Sequence, residues 1–173
     1  AIPLHYLKEI NELFLSSFCC IDEPEIAIEC HPGYLNEKHW LQLVEAGFNR
    51  CSIGIQDFNE EVLRTANRKG SLLPPARIFE LLREQGVSIN LDFIYGLPGQ
   101  TAAGFEETIR QAASLRPDRL VTFSYAHVPW VNKDMLKLEK AGLPEAEEKS
   151  NMYRRAAASL SERGYVPVGL DHF

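Results

Sequence analysis

Five short runs rich in β-branched and aromatic residues recur along this chain, each separated from the next by a helical pattern, and that alternation leaves few architectures open. The runs are 25–29 (EIAIE), 50–55 (RCSIGI), 88–95 (SINLDFIY), 119–124 (RLVTFS) and 165–170 (YVPVGL). Each is too short for a stable helix and has the composition of a pleated, packed surface. Strands that alternate with helices form stacked βα units around a parallel sheet, so the expected class is α/β.

The helical stretches carry their own punctuation. A first helix is expected over 4–17, ahead of any strand. Asn36 can cap a helix that presents Trp40, Leu41 and Val44 and stops at Gly47, and Asn59 can cap one with Val62, Leu63 and Ala66. Pro74 and Pro75 open a helix with Ile78, Leu81 and Leu82 on one stripe, closed by Gly86. Thr101 can cap the next, and the last begins near Pro144 with Glu145, Glu147 and Glu148 where acids suit the macrodipole, ending at Gly164.

The order is one helix, four βα units and a last strand, which is an incomplete barrel. A closed (β/α)₈ barrel takes about 250 residues, and this chain has 173. Residues 1–173 therefore read as a single segment of one larger barrel domain, with no linker or internal repeat. The net charge of −6 argues against a phosphate-backbone binder, so no nucleic-acid partner is expected. No apolar run approaches the roughly 20 residues that span a bilayer, so no membrane partner is expected and the cytoplasm is the default compartment. Cys19, Cys20, Cys30 and Cys51 show neither a disulfide framework nor zinc-knuckle spacing and read as small buried thiols.

Ligands of parallel α/β folds collect at the carboxyl ends of the strands. Those ends hold Glu29, then Gln56 and Asp57, then Asp92 ahead of YGLPGQT, then Tyr125 and His127, then Asp171 and His172. In SINLDFIY, Asn90 and Asp92 share one face while Ile89, Leu91 and Phe93 take the other. A carboxylate on so apolar a strand is exposed, paired or turned to a polar ligand. For any single strand-end acid a structural use competes, and Arg68 in TANRKG reads equally well as a solvated cation at a helix end. Together, Glu29, Gln56, Arg68 and Asp92 offer acceptors for ribose hydroxyls or an amine and a fork for a carboxylate, which suits an amino-acid nucleoside. A sugar phosphate fits less well, because no Gly-rich cradle with a Lys is present.

The blocks IECHPGYL, GFNRCSIGIQDFN, ANRKG, NLDFIYGLPGQT, RLVTFSYAHVPW and GYVPVGLDHF, in this order and spacing, resemble the radical S-adenosylmethionine enzymes and, among them, the oxygen-independent coproporphyrinogen III oxidase family. The resemblance runs over nearly the whole chain from Glu25. It implies a partial (β/α) barrel of the radical SAM type and places Glu29, Gln56, Arg68, Asp92 and Ala126 on positions that contact S-adenosylmethionine. It implies oxidative decarboxylation of two propionates of coproporphyrinogen III, giving protoporphyrinogen IX in porphyrin and haem biosynthesis. The cofactors implied are S-adenosyl-L-methionine and a [4Fe-4S] cluster, whose reductive cleavage of the sulfonium gives a 5′-deoxyadenosyl radical, and an external electron donor is a partner of the full-length protein.

One departure stands out. The family holds its cluster with CxxxCxxC, and these residues contain no such triplet, so the ligands are expected outside the segment and the segment alone is expected to be inactive. No catalytic residue and no metal ligand is assigned within it. Two other readings compete. A haem-chaperone-like paralogue would bind haem without oxidase activity, and an unrelated metal-independent barrel lyase would use Asp92 as a base. His127, Asp171 and His172 are candidates without roles.

Overall fold

The computed structural model describes residues 2–19 and 22–173. The chain is an α/β protein with a parallel sheet of strand order β1, β2, β3, β4, where β1 is Ala27–Cys30, β2 Arg50–Gln56, β3 Ser88–Tyr95 and β4 Arg119–Ser124. Helices follow every strand: α1 (Leu4–Ser17) precedes the sheet, α2 (Glu37–Glu45) follows β1, α3 (Glu60–Thr65) and α4 (Pro75–Arg83) follow β2, α5 (Ala102–Ser114) follows β3, and α6 (Met135–Lys140) and α7 (Ala146–Ser161) follow β4. The chain divides into two compact units, 1–53 with 71–90, and 54–70 with 91–173.

Local chemistry sets the helix ends. Asn36 accepts from the His39 N–H at 3.1 Å while His39 Nδ1 accepts from the Asn36 N–H at 3.2 Å, a reciprocal capping box that opens α2. Asn59 and Thr101 cap α3 and α5 with their side-chain oxygens, as expected. At the far end of α4, Gly86 sits at φ 72° while its N–H bonds to Arg83 O and that of Val87 to Leu82 O. This pair of bonds satisfies carbonyls that the helix leaves open, and Gly47 and Gly164 close α2 and α7 in the same way. Replacing Asn36 by Ala should cost about 1 kcal/mol of stability, read as a lower urea midpoint with an unchanged slope, whereas His39→Gln, which keeps an acceptor at that position, should cost less.

In the first unit the register pairs Ala27 with Arg50, Ile28 with Cys51, Glu29 with Ser52 and Cys30 with Ile53. Its core is Trp40 and Leu43 of α2, Ile78, Phe79, Leu81 and Leu82 of α4, and Cys51 and Ile53. In the second unit α5 packs on α7, with Phe105, Ile109, Ala112, Met152, Ala156 and Leu160 fully buried.

Three expectations are corrected. The first strand is Ala27–Cys30 rather than 25–29, because β2 begins at Arg50, opposite Ala27, and leaves residues 25 and 26 no strand to pair with, while the Glu25 carboxylate meets the Arg50 side chain at 3.1 Å. No strand forms over 165–170: Pro167 lacks an N–H, Val168 and Leu170 are 83% and 91% exposed, and Leu170 sits at φ 43°. The chain turns there and runs back, so that His172 forms antiparallel bridges with Gly169 and Val121. Asp171 and His172 therefore do not close a fifth parallel strand. Cys19 is exposed rather than buried, Cys30 and Cys51 are buried thiols as expected, and Cys20 lies outside the described residues.

Candidate functional site

Strand parity separates polar from apolar side chains. In the first unit, Glu29 is exposed and lies across from Ser52, whose hydroxyl accepts from Asn90 Nδ2 at 2.7 Å. Cys30 and Cys51 point the other way, into the apolar layer. There the Cys30 thiol is pushed far up by its hydrogen bond with Cys51 and by burial, so it stays protonated.

In the second unit, β2 ends at Gln56, which is 7% exposed and sits at φ 71°. An L-residue in the left-handed region costs about 1–2 kcal/mol, so the surroundings impose this turn. What it achieves is visible in the next residue. Asp57 is only 2% exposed, and its carboxylate accepts from the Asn59 N–H at 2.8 Å, the Thr108 hydroxyl at 2.6 Å and Gln100 Nε2 at 2.6 Å. Gln100 also donates to Ile94 O at 2.8 Å, and its Oε1 accepts from the Leu97 N–H at 2.7 Å. Asp57, expected at the strand-end rim, is instead an interior tie that fastens the loop after Gln56 to the loop after β3 and to α5.

Arg68 is placed by the end of α3. Asn67 takes φ 53°, its N–H bonds to Arg64 O at 3.0 Å, and the Arg68 N–H bonds to Leu63 O at 2.8 Å. These bonds are the two that a left-handed residue supplies at a helix terminus, and they hold Arg68, half-buried, one residue beyond. Asp92 is half-buried at the fifth position of β3, between Leu91 and Phe93, which are both 0% exposed. Ala126 is exposed just past β4, where the Tyr125 N–H donates to Tyr95 O at 2.8 Å. Glu29 belongs to the first unit and Gln56, Arg68, Asp92 and Ala126 to the second.

Around Ala126 the aromatic groups are engaged. His127 Nδ1 faces the Tyr125 hydroxyl at 3.4 Å and its Nε2 faces Glu139 at 3.3 Å. Burial raises the Tyr125 phenol, and burial first, then the Asp171 charge, raises Tyr95 against a lowering bond with Ser124. Both stay neutral donors at ordinary pH.

Sequence reasoning missed Gln100 and Thr108 as partners of Asp57. Glu148, read only as an acid suited to the first turn of its own helix, also reaches the start of α5, where its Oε1 accepts from the Ala102 N–H at 2.7 Å, and Lys149 beside it carried no signal. A signal for Asp57 existed, since Asp followed two residues later by a turn N–H is an Asx-turn pattern. The donors from Gln100 and Thr108 lie 43 and 51 residues away and carry no local mark.

The donor set fits one of the two expected cofactors. Carboxylates, an amide and a guanidinium are groups that bind an amino-acid nucleoside. They do not fit an iron–sulfur cluster: the described cysteines are one exposed thiol and a pair buried in the core, and among the described residues no group of three or more His, Cys, Asp or Glu is placed to hold a metal ion.

Residues 6–112 match the model of the radical SAM superfamily. An oxygen-independent coproporphyrinogen III oxidase from Synechocystis sp. is 42% identical over 99% of this chain and 37% of its own length. The protein of that description from Escherichia coli K12 is 39% identical over 96% of this chain and 37% of its own. Among solved structures, the coproporphyrinogen III oxidase HemN from Escherichia coli, described as a radical SAM enzyme, superposes with a TM-score of 0.90 at 35% identity, over 99% of this chain and 40% of that one. An archaeal Elp3 from Methanocaldococcus infernus shares the fold alone, with a TM-score of 0.65 at 20% identity over 76% of this chain and 32% of that one. The chain thus spans little more than a third of the length of the curated relatives it matches. With a family model over more than half its residues, an α/β sheet of matching topology and polar groups at the strand ends, the chain belongs to the radical SAM superfamily.

Proposed function

We propose that this chain is the S-adenosylmethionine-binding segment of an oxygen-independent coproporphyrinogen III oxidase, which removes two propionate carboxyl groups of coproporphyrinogen III oxidatively to give protoporphyrinogen IX. The observation that carries the reading is the 42% identity over 99% of the chain to a protein of that name. Residues 1–173 are read as one segment of a radical SAM barrel domain.

Glu29, Gln56, Arg68, Asp92 and Ala126 are the residues assigned to S-adenosylmethionine. Asp92 and Glu29 supply acceptors for hydroxyl or ammonium groups, and Arg68 supplies a fork for the amino-acid carboxylate. Gln56 adds an amide whose backbone is already bent, so no ordering cost falls on the moment of binding. Ala126 leaves the main chain open to a close approach. When bound, the cofactor and its cluster supply one-electron chemistry at a propionate C–H bond. The cluster ligands, the porphyrin-carboxylate ligands and the docking site of an electron donor are assigned outside this segment, and no step is routed through residues of this chain for them. Free thiols at Cys19, Cys30 and Cys51 and the absence, among the described residues, of a helix long and apolar enough to cross a membrane agree with a cytoplasmic setting.

The test uses the full-length protein under anaerobic conditions. Asp92→Asn removes a charge while keeping shape, and is expected to weaken S-adenosylmethionine about tenfold or more in equilibrium dialysis, on the scale of one charged hydrogen bond. Coproporphyrinogen consumption should fall with it. Unchanged binding in both Asp92→Asn and Glu29→Gln would overturn the site assignment. Stoichiometric haem binding without coproporphyrinogen consumption would transfer the protein to a haem-handling role.

A further inference from the structure

The first turn of α7 reaches back over the loop after β3. Lys149 Nζ donates to the carbonyl of Tyr125 at 2.9 Å, and its stem crosses Gly96 so closely that a Cβ built there would lie 2.5 Å from Lys149 Cε and 3.0 Å from Cδ. Gly96 also sits at φ 89°. Two demands thus meet at one glycine: a left-handed backbone and room for a lysine stem. Beside it, Glu148 holds the Ala102 N–H at the start of α5. The α7 turn therefore fastens both the loop of YGLPGQT and the chain leaving β4.

The consequence lies in the peptide that Lys149 grips. Tyr125 has its N–H fixed on Tyr95 O at 2.8 Å and its C=O fixed on Lys149. The carbonyl of Tyr125 and the N–H of Ala126 belong to one planar trans peptide and point in opposite directions. Holding that carbonyl toward α7 turns the Ala126 N–H away from α7. An exposed residue with a methyl side chain can offer a ligand little but its main chain, so the direction of this amide is the property that matters at Ala126.

We propose that Lys149 is a positioning residue: by anchoring the Tyr125 carbonyl across Gly96, it sets the direction of the Ala126 amide for S-adenosylmethionine. This rests on the assignment of Ala126 to that site. Lys149 does not touch the ligand itself, and a charge-assisted bond to a main-chain carbonyl suits the role because it is stronger than a neutral one.

The test compares Lys149→Met and Lys149→Arg with the parent in the full-length protein, by equilibrium dialysis of S-adenosylmethionine and by amide hydrogen exchange at 125–127. Lys149→Met keeps the stem and loses the donor. It is expected to weaken binding about tenfold, to speed exchange at Ala126 without ligand, and to abolish the protection that the parent gains on binding, while Lys149→Arg recovers most of both. If the parent binds and Lys149→Met binds equally well with unchanged exchange, the positioning role is wrong and the site assignment stands. If the parent itself gains no protection at Ala126 on binding, the assignment of Ala126 fails and the role goes with it. Should Lys149→Met not fold, Lys149→Gln takes its place with the same two readouts.

Discussion

Replacing Asp57 by Ala is expected to destabilise the protein by about 3–5 kcal/mol, from about 1–3 kcal/mol for each neutral donor left without its acceptor. The carboxylate is 2% exposed and receives three donors, from Asn59, Thr108 and Gln100. Removing it strands a hydroxyl and an amide N–H in the interior, where water does not compensate them. Asp57→Asn is no rescue, because its NH₂ would face the NH₂ of Gln100 in one orientation and the N–H of Asn59 in the other, donor against donor. Thr108→Val, which deletes a single donor, should cost about 1.5–3 kcal/mol. Urea denaturation followed by circular dichroism orders the variants, and an Asp57→Ala protein within about 1 kcal/mol of the parent would show that the network contributes no more than an ordinary surface contact. Loss of the tie should also free the turn at Gln56, so residual folded protein is expected to bind S-adenosylmethionine less well than its stability alone predicts.

The same residue marks where sequence reading stops. Helix ends were legible because a cap is local chemistry: Asn36, Asn59, Thr101, Gly47, Gly86 and Gly164 act on N–H and C=O groups within a few residues. The faces of β3 were legible because alternation is local too, and Asn90 does join Ser52 on the polar side. Asp57 was not, since a strand-end acid reads alike whether it meets solvent or a hydroxyl from a helix 51 residues on. The run YVPVGL failed for a related reason. Strand propensity has force only when a neighbour supplies the ladder, and here it is the residues after the run, 171–173, that lie antiparallel to β4, with His172 bridging Val121 and the Phe173 N–H bonding to Leu120 O. The left-handed turn at Gln56 was equally hidden, because nothing in the residue type announces a positive φ.

Gly96 offers the sharper test of how α7 supports the loops. Gly96→Ala should cost about 3 kcal/mol, made of about 1 kcal/mol for an L-residue in the left-handed region and about 2 kcal/mol for the Lys149 bond that the new methyl displaces. The clash itself is avoidable, because Lys149 can swing its stem away from a Cβ 2.5 Å from Cε, but only by releasing the Tyr125 carbonyl. A double-mutant cycle separates the two contributions. In a Lys149→Ala background the stem and its bond are already gone, so Gly96→Ala should then cost only about 1 kcal/mol. Equal costs in both backgrounds would mean that the glycine answers to its backbone angle alone. A coupling of about 2 kcal/mol, on the scale expected for residues in contact, would instead make Gly96 the space through which α7 grips the chain beside Ala126, and Gly96→Ala would then weaken S-adenosylmethionine as Lys149→Met does, from the opposite side of one contact.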